Sequence, residues 1–162
     1  MALNAFLKIK GAKQGEIKGS VVQKGREGKI TVIAFQHELN TPQDVLGRQT
    51  SGKRMHKPFV ITKELDKSTP LFYNALIENE TITDWELQCF TAQSKTGTEA
   101  NYYTIKLHNV KVMDIKSTMP NNKDVELANL NIYEEIAFTY TKIEWIWVDG
   151  GITAIDDIGQ GA

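Results

Sequence analysis

Apolar and polar residues alternate in short runs along most of this chain, a period of two that is typical of strands with one buried face. The alternation is clearest from Leu3 to Ile9, from Ile82 to Phe90 and from Tyr102 to His108. Glycine, proline and asparagine separate the runs, as they do at turns. Ile30 to Leu39 is rich in β-branched and aromatic residues and predicts a strand covered on both faces. The pattern therefore predicts a mainly β protein.

Two of the runs change phase, so that the side chains of one register give way to those of the other. One change falls at Asn109, and the other falls near Thr141-Lys142, inside the long run from Glu135 to Val148. We expect a bulge or a tight bend at each point. Residues 150–162, which follow, end in small and polar side chains, and we expect this tail to be loosely held.

The one convincing helical pattern begins at Asp66-Lys67-Ser68-Thr69-Pro70 and runs to about Glu80. Thr69 is a suitable N-cap, because its hydroxyl can accept a free backbone N–H, and Pro70 then occupies the first helical position, where no N–H is needed. The apolar residues of one face are Leu71, Phe72, Ala75 and Leu76. This spacing favours a helix that covers the face or open end of a sheet over a ligand-binding helix.

The length of 162 residues suits a single domain, 1–162, which could bury roughly two-thirds of its unfolded surface. No run approaches the roughly 18 consecutive apolar residues of a membrane span. Residues Met1 to Lys8 lack the apolar core and cleavage site of a secretory signal, so we expect synthesis as a soluble cytoplasmic protein. The lone Cys89 cannot form an intramolecular disulfide, and its position beside Phe90 predicts a buried, inert thiol.

Charge is distributed unevenly along the chain, although the net charge is only −1. Residues 1–67 hold 13 lysines and arginines against 6 acidic residues, whereas residues 68–162 hold 6 against 14. Asymmetry of this size can reflect nucleic-acid binding or complementary self-association. Alternatively, folding interleaves the two parts and cancels the field.

A basic loop, residues 38–58, has no sustained apolar periodicity and is too long to be only a connector. Its basic residues are Arg48, Lys53, Arg54, His56 and Lys57, with Asp44 as the opposing charge between Glu38 and Pro58. Three interpretations follow from the residues alone: a solvated loop, a nucleic-acid contact or a protein-contact arm. The nucleic-acid interpretation lacks interleaved aromatic residues for stacking.

The sequence contains no recognisable catalytic or metal-binding pattern. His37-Glu38 is not followed by the second histidine of a zinc-protease helix, and His37, His56 and His108 are too far apart to suggest a ligand set. There is no Gly-x-Ser-x-Gly elbow, and paired acidic residues such as Glu134-Glu135 point to opposite faces of a strand. We therefore predict no catalytic residue, no cofactor and no metal, and a protein that is not an enzyme.

Several motifs together carry a family resemblance. They are Gly47-Arg48, Gly52 to Phe59, Leu65 to Leu76 and Trp85-Glu86-Leu87, with further matches at Tyr102 to Leu107, Met119-Pro120 and Lys142 to Trp145. This combination resembles the haemolysin-coregulated protein (Hcp) family, the tube-forming component of bacterial type VI secretion systems. The tail departs from several relatives, which end in Asp-Asp-Trp where this chain has Asp156-Asp157-Ile158, and this leaves the docking of the tail open.

The resemblance implies a compact β-barrel of two packed antiparallel sheets with one flanking helix, Thr69 to Glu80, and a long extended loop. It also implies a homo-hexameric ring that stacks into a tube and carries small effectors in its lumen. The partners of this tube would be a VgrG-type spike, a contractile sheath and baseplate proteins. Secretion would need no cleavable signal peptide, and neither nucleic acid nor membrane insertion is expected. The basic loop would be a contact between rings or subunits. The alternative function is a nucleic-acid-binding β-barrel that uses this loop.

Overall fold

The computed structural model describes residues 4–42, 46, 52–91 and 99–158, and all structural statements below concern these residues. They form thirteen strands, one α-helix and a short 3-10 turn at Asp149–Gly151. The strands are β1 (Asn4–Gly11), β2 (Gly15–Ile17), β3 (Ile30–Val32), β4 (Ala34–Gln36), β5 (Leu39–Asn40), β6 (Met55–His56), β7 (Phe59–Glu64), β8 (Ile82–Thr91), β9 (Ala100–His108), β10 (Lys111–Thr118), β11 (Tyr133–Thr139), β12 (Lys142–Trp147) and β13 (Ile152–Asp157). The helix, α1, is Thr69–Ile77.

The strands form two large antiparallel sheets and a two-stranded ladder. The seven-stranded sheet has the order β13-β12-β9-β8-β1-β2, and β3 pairs with β1 beside β2. The four-stranded sheet has the order β10-β11-β7-β4, and β5 pairs with β6. The predicted mainly β class with antiparallel sheets and one helix is confirmed. In the described part of the chain, strand pairing does not close these sheets into a complete barrel.

The chain passes directly from one large sheet to the other at three points, and a fourth passage, from β7 to β8, goes through α1. At Ile33 it leaves β3 for β4, so the single strand predicted from Ile30 to Leu39 is wrong, and β4 is exposed along its length. At Asn109, where φ is +52°, it passes from β9 to β10, and a register shift lies between Val112 and Asp114. The phase change predicted at Asn109 is therefore confirmed.

The third passage explains the other phase change. The run from Glu135 to Val148 predicts one long strand with a bulge, but the structure has two strands, β11 and β12, in different sheets. Tyr140 lies between them and is buried. The two registers of this run therefore belong to two faces of the core, and the single-strand prediction is wrong.

The core lies between the two large sheets and beneath the helix. Trp85 of β8 contacts two rings of the facing sheet, with centroids 4.9 Å from Phe59 and 5.6 Å from Phe138. Phe72 of α1 meets Phe138 edge-on at 6.1 Å. The helix therefore covers the core, as its apolar spacing predicts.

The start of the helix differs from the prediction in one detail. Ser68 is the N-cap and Thr69 the first helical residue, with Pro70 in the first turn, so Thr69 does not cap the helix. The Thr69 hydroxyl instead accepts the N–H of Asp66 at 3.1 Å and donates to Glu134 at 3.0 Å. The helix ends at Ile77 rather than near Glu80.

A buried ion cluster lies beside this helix start. Lys63 and Glu134 have fully buried side chains, and Lys63 Nζ lies 2.5 Å from Glu134 Oε1. The same ammonium also contacts Asp66 Oδ1 at 3.1 Å and Thr69 Oγ1 at 3.2 Å. Each of these contacts offsets part of the cost of removing the two charges from water.

The tail forms an ordered strand up to Asp157, so the expectation of a loosely held tail is wrong for this part. Strand β13 pairs with β12 along its whole length, from Trp147↔Ile152 to Lys142↔Asp157. The N–H of Ile158 then donates to the carbonyl of Thr141 at 2.8 Å. Residues 159–162 lie outside the described part.

Candidate functional site

The basic loop leaves the fold through a narrow neck. Strand β5, near its start, pairs with β6, near its end. The N–H of Lys57 donates to the carbonyl of Glu38 at 3.1 Å, and Lys57 Nζ lies 3.2 Å from the Glu38 carboxylate. The two ends of the loop are therefore held together before the chain returns to β7. The sequence did not predict this short ladder.

The neck is attached to the C-terminal strand by Arg54 and Asp156. Arg54 Nε donates to Asp156 Oδ2 at 2.7 Å, and a second guanidinium nitrogen donates to Oδ1 at 2.8 Å. This is the two-pronged geometry in which a guanidinium binds a carboxylate most specifically. The Arg54 hydrogen bonds, followed by one from His56, hold the pKa of Asp156 below its ordinary value.

His56 makes a second attachment to the same carboxylate. Its Nε2 lies 2.7 Å from Asp156 Oδ2 and its Nδ1 lies 3.0 Å from the hydroxyl of Tyr140. Only 8% of this side chain is exposed. Both ring nitrogens therefore have partners, which fixes the orientation of the ring.

Tyr140 joins the neck to the end of β4. Its hydroxyl lies 2.6 Å from Nε2 of His37 and 3.3 Å from the carbonyl of Lys57. Burial, and then the charge of Asp156, raise the pKa of Tyr140 to about 12. Burial, and then the neighbouring His56, lower the pKa of His37. We call the five residues His37, Arg54, His56, Tyr140 and Asp156 the anchor network.

The structure thus brings together part of the predicted set. Arg54 and His56 belong to the anchor network, Lys57 pairs with Glu38, and Lys53 is exposed. Arg48 lies outside the described residues. Thr69 and Pro70 lie at the start of α1, away from this set in the chain.

Sequence reasoning missed His37, Tyr140 and Asp156 as partners of the loop. Tyr140 is 84 positions from His56 and Asp156 is 102 positions from Arg54, while His37 reaches the network through Tyr140, 103 positions away. The available signal was the polar tip of Tyr140 within an apolar run, since a buried tyrosine hydroxyl requires a hydrogen-bond partner.

Ion pairing weakens the case for a nucleic-acid site at the loop. The charges of Arg54 and Lys57 are opposed by Asp156 and Glu38.

On the outward face of the seven-stranded sheet, charges alternate in one row across four strands. The row is Lys8, Glu86, Lys106 and Glu144. In this row, folding therefore places Lys8 of the basic first part of the chain beside charges of the acidic second part.

An uncovered apolar surface lies where β4 and the outer strands of the large sheet end. Ile33, Phe35 and Tyr102 line a depression of about 330 Å³. The ring of Tyr102 lies 5.8 Å from that of Trp147, which in turn pairs across strands with Ile152, a residue 67% exposed. We call these five residues the end patch. A contiguous apolar surface of this kind indicates a protein contact.

The contacts described at this site are hydrogen bonds and ion pairs. In the described ranges, no group of three or more His, Cys, Asp or Glu side chains could hold a metal ion. Burial raises the pKa of the Cys89 thiol, and the predicted burial of Cys89 is confirmed. None of the helices in the same ranges is both long and apolar enough to cross a membrane.

Comparisons with known proteins identify one family. A family model described as "Type VI secretion system effector, Hcp" matches residues 6–147. The major exported protein of Pseudomonas aeruginosa is 38% identical over 166 residues, which cover 97% of this chain and 96% of that protein.

Solved structures agree with this result. A crystal structure of an Hcp protein matches with a TM-score of 0.89 at 30% identity, covering 99% of this chain and 100% of that one. A mutant of the Hcp1 protein from E. coli EAEC 042 matches with a TM-score of 0.85 at 34% identity, covering 97% and 99%.

Proposed function

The chain belongs to the Hcp family of type VI secretion system proteins, and on this premise we propose that it is a structural tube subunit. Its copies form hexameric rings, and the rings stack into a tube that delivers effectors. The observation that carries the proposal is the match with Hcp proteins over nearly the whole chain, at a TM-score of 0.89. The role involves no chemical turnover.

The end patch supports the ring part of the proposal. Subunits of a ring need an apolar surface that a neighbour can cover, and Ile33, Phe35, Trp147 and Ile152 are all more than two-fifths exposed. Within the described part, β4 and β13 are the outermost strands of their sheets, so their outer backbone groups also lie open to a neighbour. We assign the end patch to the contact between adjacent subunits of one ring.

The basic loop supports the stacking part of the proposal. Head-to-tail stacking requires two unlike surfaces that complement each other. The neck and the anchor network hold the ends of this loop at a fixed place on the subunit, as a contact arm requires. We assign the loop, including Arg48 and Lys53, to contacts with the next ring.

The remaining partners follow from the same premise. The tube would end in a VgrG-type spike, lie inside a contractile sheath above baseplate proteins, and hold small effectors in the ring lumen. The protein would be exported by this system without a cleavable signal peptide, in keeping with a relative named for its export. No nucleic acid takes part in this proposal.

One experiment tests the core of the proposal. Light scattering gives the mass of the purified protein, and negative-stain microscopy gives its shape. We expect the mass of six chains and rings of uniform diameter. A monodisperse monomer over the whole accessible concentration range would refute the tube function.

A further inference from the structure

Strand β7 connects the neck of the basic loop to an uncovered surface at the opposite end of the subunit. It begins at Phe59, directly after the loop, and ends at Glu64, and its six residues separate these ends by about 17 Å. In the neighbouring strand β11, Phe138 pairs with Phe59 and Tyr133 pairs with Glu64. The neck and this surface therefore lie at opposite ends of the four-stranded sheet.

The surface at the far end is built from two segments of the chain. Leu65 follows β7, Leu130 and Ile132 precede β11, and each of these three side chains is 40–54% exposed. The N–H of Leu65 donates to the carbonyl of Ile132 at 3.3 Å, and Asn131 Nδ2 donates to the Glu64 carboxylate at 3.2 Å. We call Glu64, Leu65, Leu130, Asn131 and Ile132 the far-end surface.

Successive turns give an ordered shape to the segment that leads to this surface. The N–H of Asp124 donates to the carbonyl of Asn121, that of Leu127 to Asp124, and that of Leu130 to Leu127, all at 3.0–3.1 Å. The apolar side chains of the far-end surface are therefore held in place while they face water. A contiguous apolar surface on an ordered segment indicates a protein contact.

The far-end surface adjoins the end patch. A shallow depression is lined by Ile33, which belongs to the end patch, and by Glu64 and Leu65. In the proposed ring, the edges of β4 and β13 face the neighbouring subunits, so the ends of the strands face the rings above and below. The basic loop leaves the subunit at one of these ends, and the far-end surface lies at the other. Head-to-tail stacking brings such unlike ends together.

The two ends are complementary in charge. The basic loop, residues 38–58, holds four lysines and arginines against two acidic residues. At the far end, residues 64–67 and 119–132 together hold four acidic residues against two lysines. Lys53 of the loop and Glu64 of the far-end surface are both exposed. Opposite charges on two surfaces favour their association in one orientation.

The two ends also match in their apolar side chains. In the neck, Leu39 of β5 is 38% exposed and Met55 of β6 is 51% exposed. Arg54 and Lys57 bind carboxylates of their own subunit, whereas Lys53 is exposed. The loop thus offers two apolar side chains and one outward cation to another chain.

We propose that the far-end surface is the docking site for the basic loop of a second copy of this chain in the next ring. Leu39 and Met55 of the loop cover the apolar side chains of that surface, and Lys53 faces Glu64. This inference rests on the proposed function, because it requires stacked rings.

Zero-length cross-linking with a water-soluble carbodiimide tests this contact on the purified full-length chain. The reagent activates a carboxylate, a lysine amine then forms an amide with it, and the reagent leaves as its urea. We expect an amide between Lys53 and Glu64 in mass spectra of the digested protein, and products larger than six chains on a denaturing gel. Within one subunit the two side chains lie at opposite ends of β7, too far apart for this bond.

Exchanging the two charges tests the pairing itself. Lys53→Glu and Glu64→Lys should each lower the amount of stacked rings by at least about tenfold, because like charges then face each other at every contact around the ring. The double variant should recover both the stacks and the cross-link. Sedimentation and negative-stain microscopy measure stacking, and circular dichroism measures folding.

Glu27→Lys is the matched control, because it reverses an exposed carboxylate that lies with Lys8 and Glu86 over the middle of the large sheet. It should stack like the wild type. Equal loss of stacking in Glu27→Lys, or a double variant that does not recover stacks, would overturn the inference.

The wild-type experiment separates this inference from the proposed function. A scattering mass of six chains without the amide between Lys53 and Glu64 would overturn the docking site and leave the ring intact. A monodisperse monomer would instead refute the tube function, and the docking site with it.

Discussion

Arg54 and Asp156 are 102 residues apart in the chain and are joined by two hydrogen bonds of 2.7 and 2.8 Å. They attach the neck of the basic loop to the last strand of the large sheet. Because neither residue belongs to the hydrophobic core, this attachment can be altered without removing apolar packing. The loop and the C-terminal strand are therefore expected to respond together to substitution.

Replacing Asp156 should release the loop while the subunit stays folded. In Asp156→Asn the carboxylate that accepts from both Arg54 and His56 loses its charge, so the hydrogen bonds weaken. Trypsin cleavage after Lys53 and Arg54 should become several-fold faster at neutral pH. The control is Asp149→Asn, which removes the same charge from an exposed position in the turn before β13. Equal cleavage rates in the two variants would contradict the attachment.

The basic residues of the loop should separate into two roles. Lys53→Glu changes an exposed charge and should impair ring stacking and secretion without loosening the neck. Arg54→Glu places a second negative charge beside Asp156 and should also loosen the neck, measured as faster amide hydrogen exchange in residues 54–57.

The triple change of Arg48, Lys53 and Arg54 to Glu should abolish stacking and secretion with the subunit still folded. Microscopy of tubes, a secretion assay and circular dichroism measure these outcomes. Lys10, Lys24 and Lys123 changed together to Glu form the control, because all three are exposed and outside the loop. Normal tube assembly by the loop triple variant would remove the loop from the stacking contact.

A charge in the end patch should break the ring. Phe35→Lys and Ile152→Lys each place an ammonium on an apolar surface that we assign to a neighbouring subunit, and burying that charge in a subunit contact is costly. We expect the scattering mass to fall from six chains towards one, with unchanged circular dichroism. Val125→Lys is the matched control, since Val125 is 88% exposed and lies outside the end patch. Intact rings in both end-patch variants would assign the ring contact to another surface.

Removing one partner of the buried pair Lys63 and Glu134 should lower stability strongly, whereas replacing both by apolar residues should lower it little. Glu134→Ala leaves the Lys63 ammonium buried without its nearest partner and should lower the free energy of unfolding by about 3–5 kcal/mol. The double variant Lys63→Met with Glu134→Leu should recover most of that loss.

Denaturant unfolding at one fixed protein concentration measures these differences, because assembly adds to apparent stability. The reference is the exposed pair Lys13 and Glu78, 3.7 Å apart, whose removal should cost about 0–1 kcal/mol. A double variant less stable than Glu134→Ala would show that the pair is not exchangeable for apolar packing.

The sequence predicted the parts of the fold whose pattern is local. Alternation in β1, β8 and β9 identified those strands, and the Pro70 segment identified the helix. The sequence did not predict that the chain changes sheets at Ile33 and at Tyr140. In both places the run of strand-forming residues continues without a turn signal, and periodicity reports a change of face but not a change of sheet.

The candidate site was predicted only in part for a related reason. The basic residues of the loop are visible in the sequence, but two of their partners are far away in the chain: Asp156 on β13, and Tyr140 at a corner between sheets. Asp156 in particular lies in a tail whose small and polar ending suggested that it is loosely held, whereas the structure pairs it with Ile143 of β12 in the same sheet. The family resemblance supplied the overall architecture that local patterns could not.

The neck formed by β5 and β6 has a practical consequence for protein engineering. Glu38 and Lys57 hold the two ends of the loop together. The entropic cost of closing a loop rises only slowly with the length of the chain between its ends. An affinity tag or reporter peptide inserted between them should be tolerated by the subunit at little cost in stability. This position is therefore suitable for labelling the protein, provided that the chosen label is compatible with ring stacking.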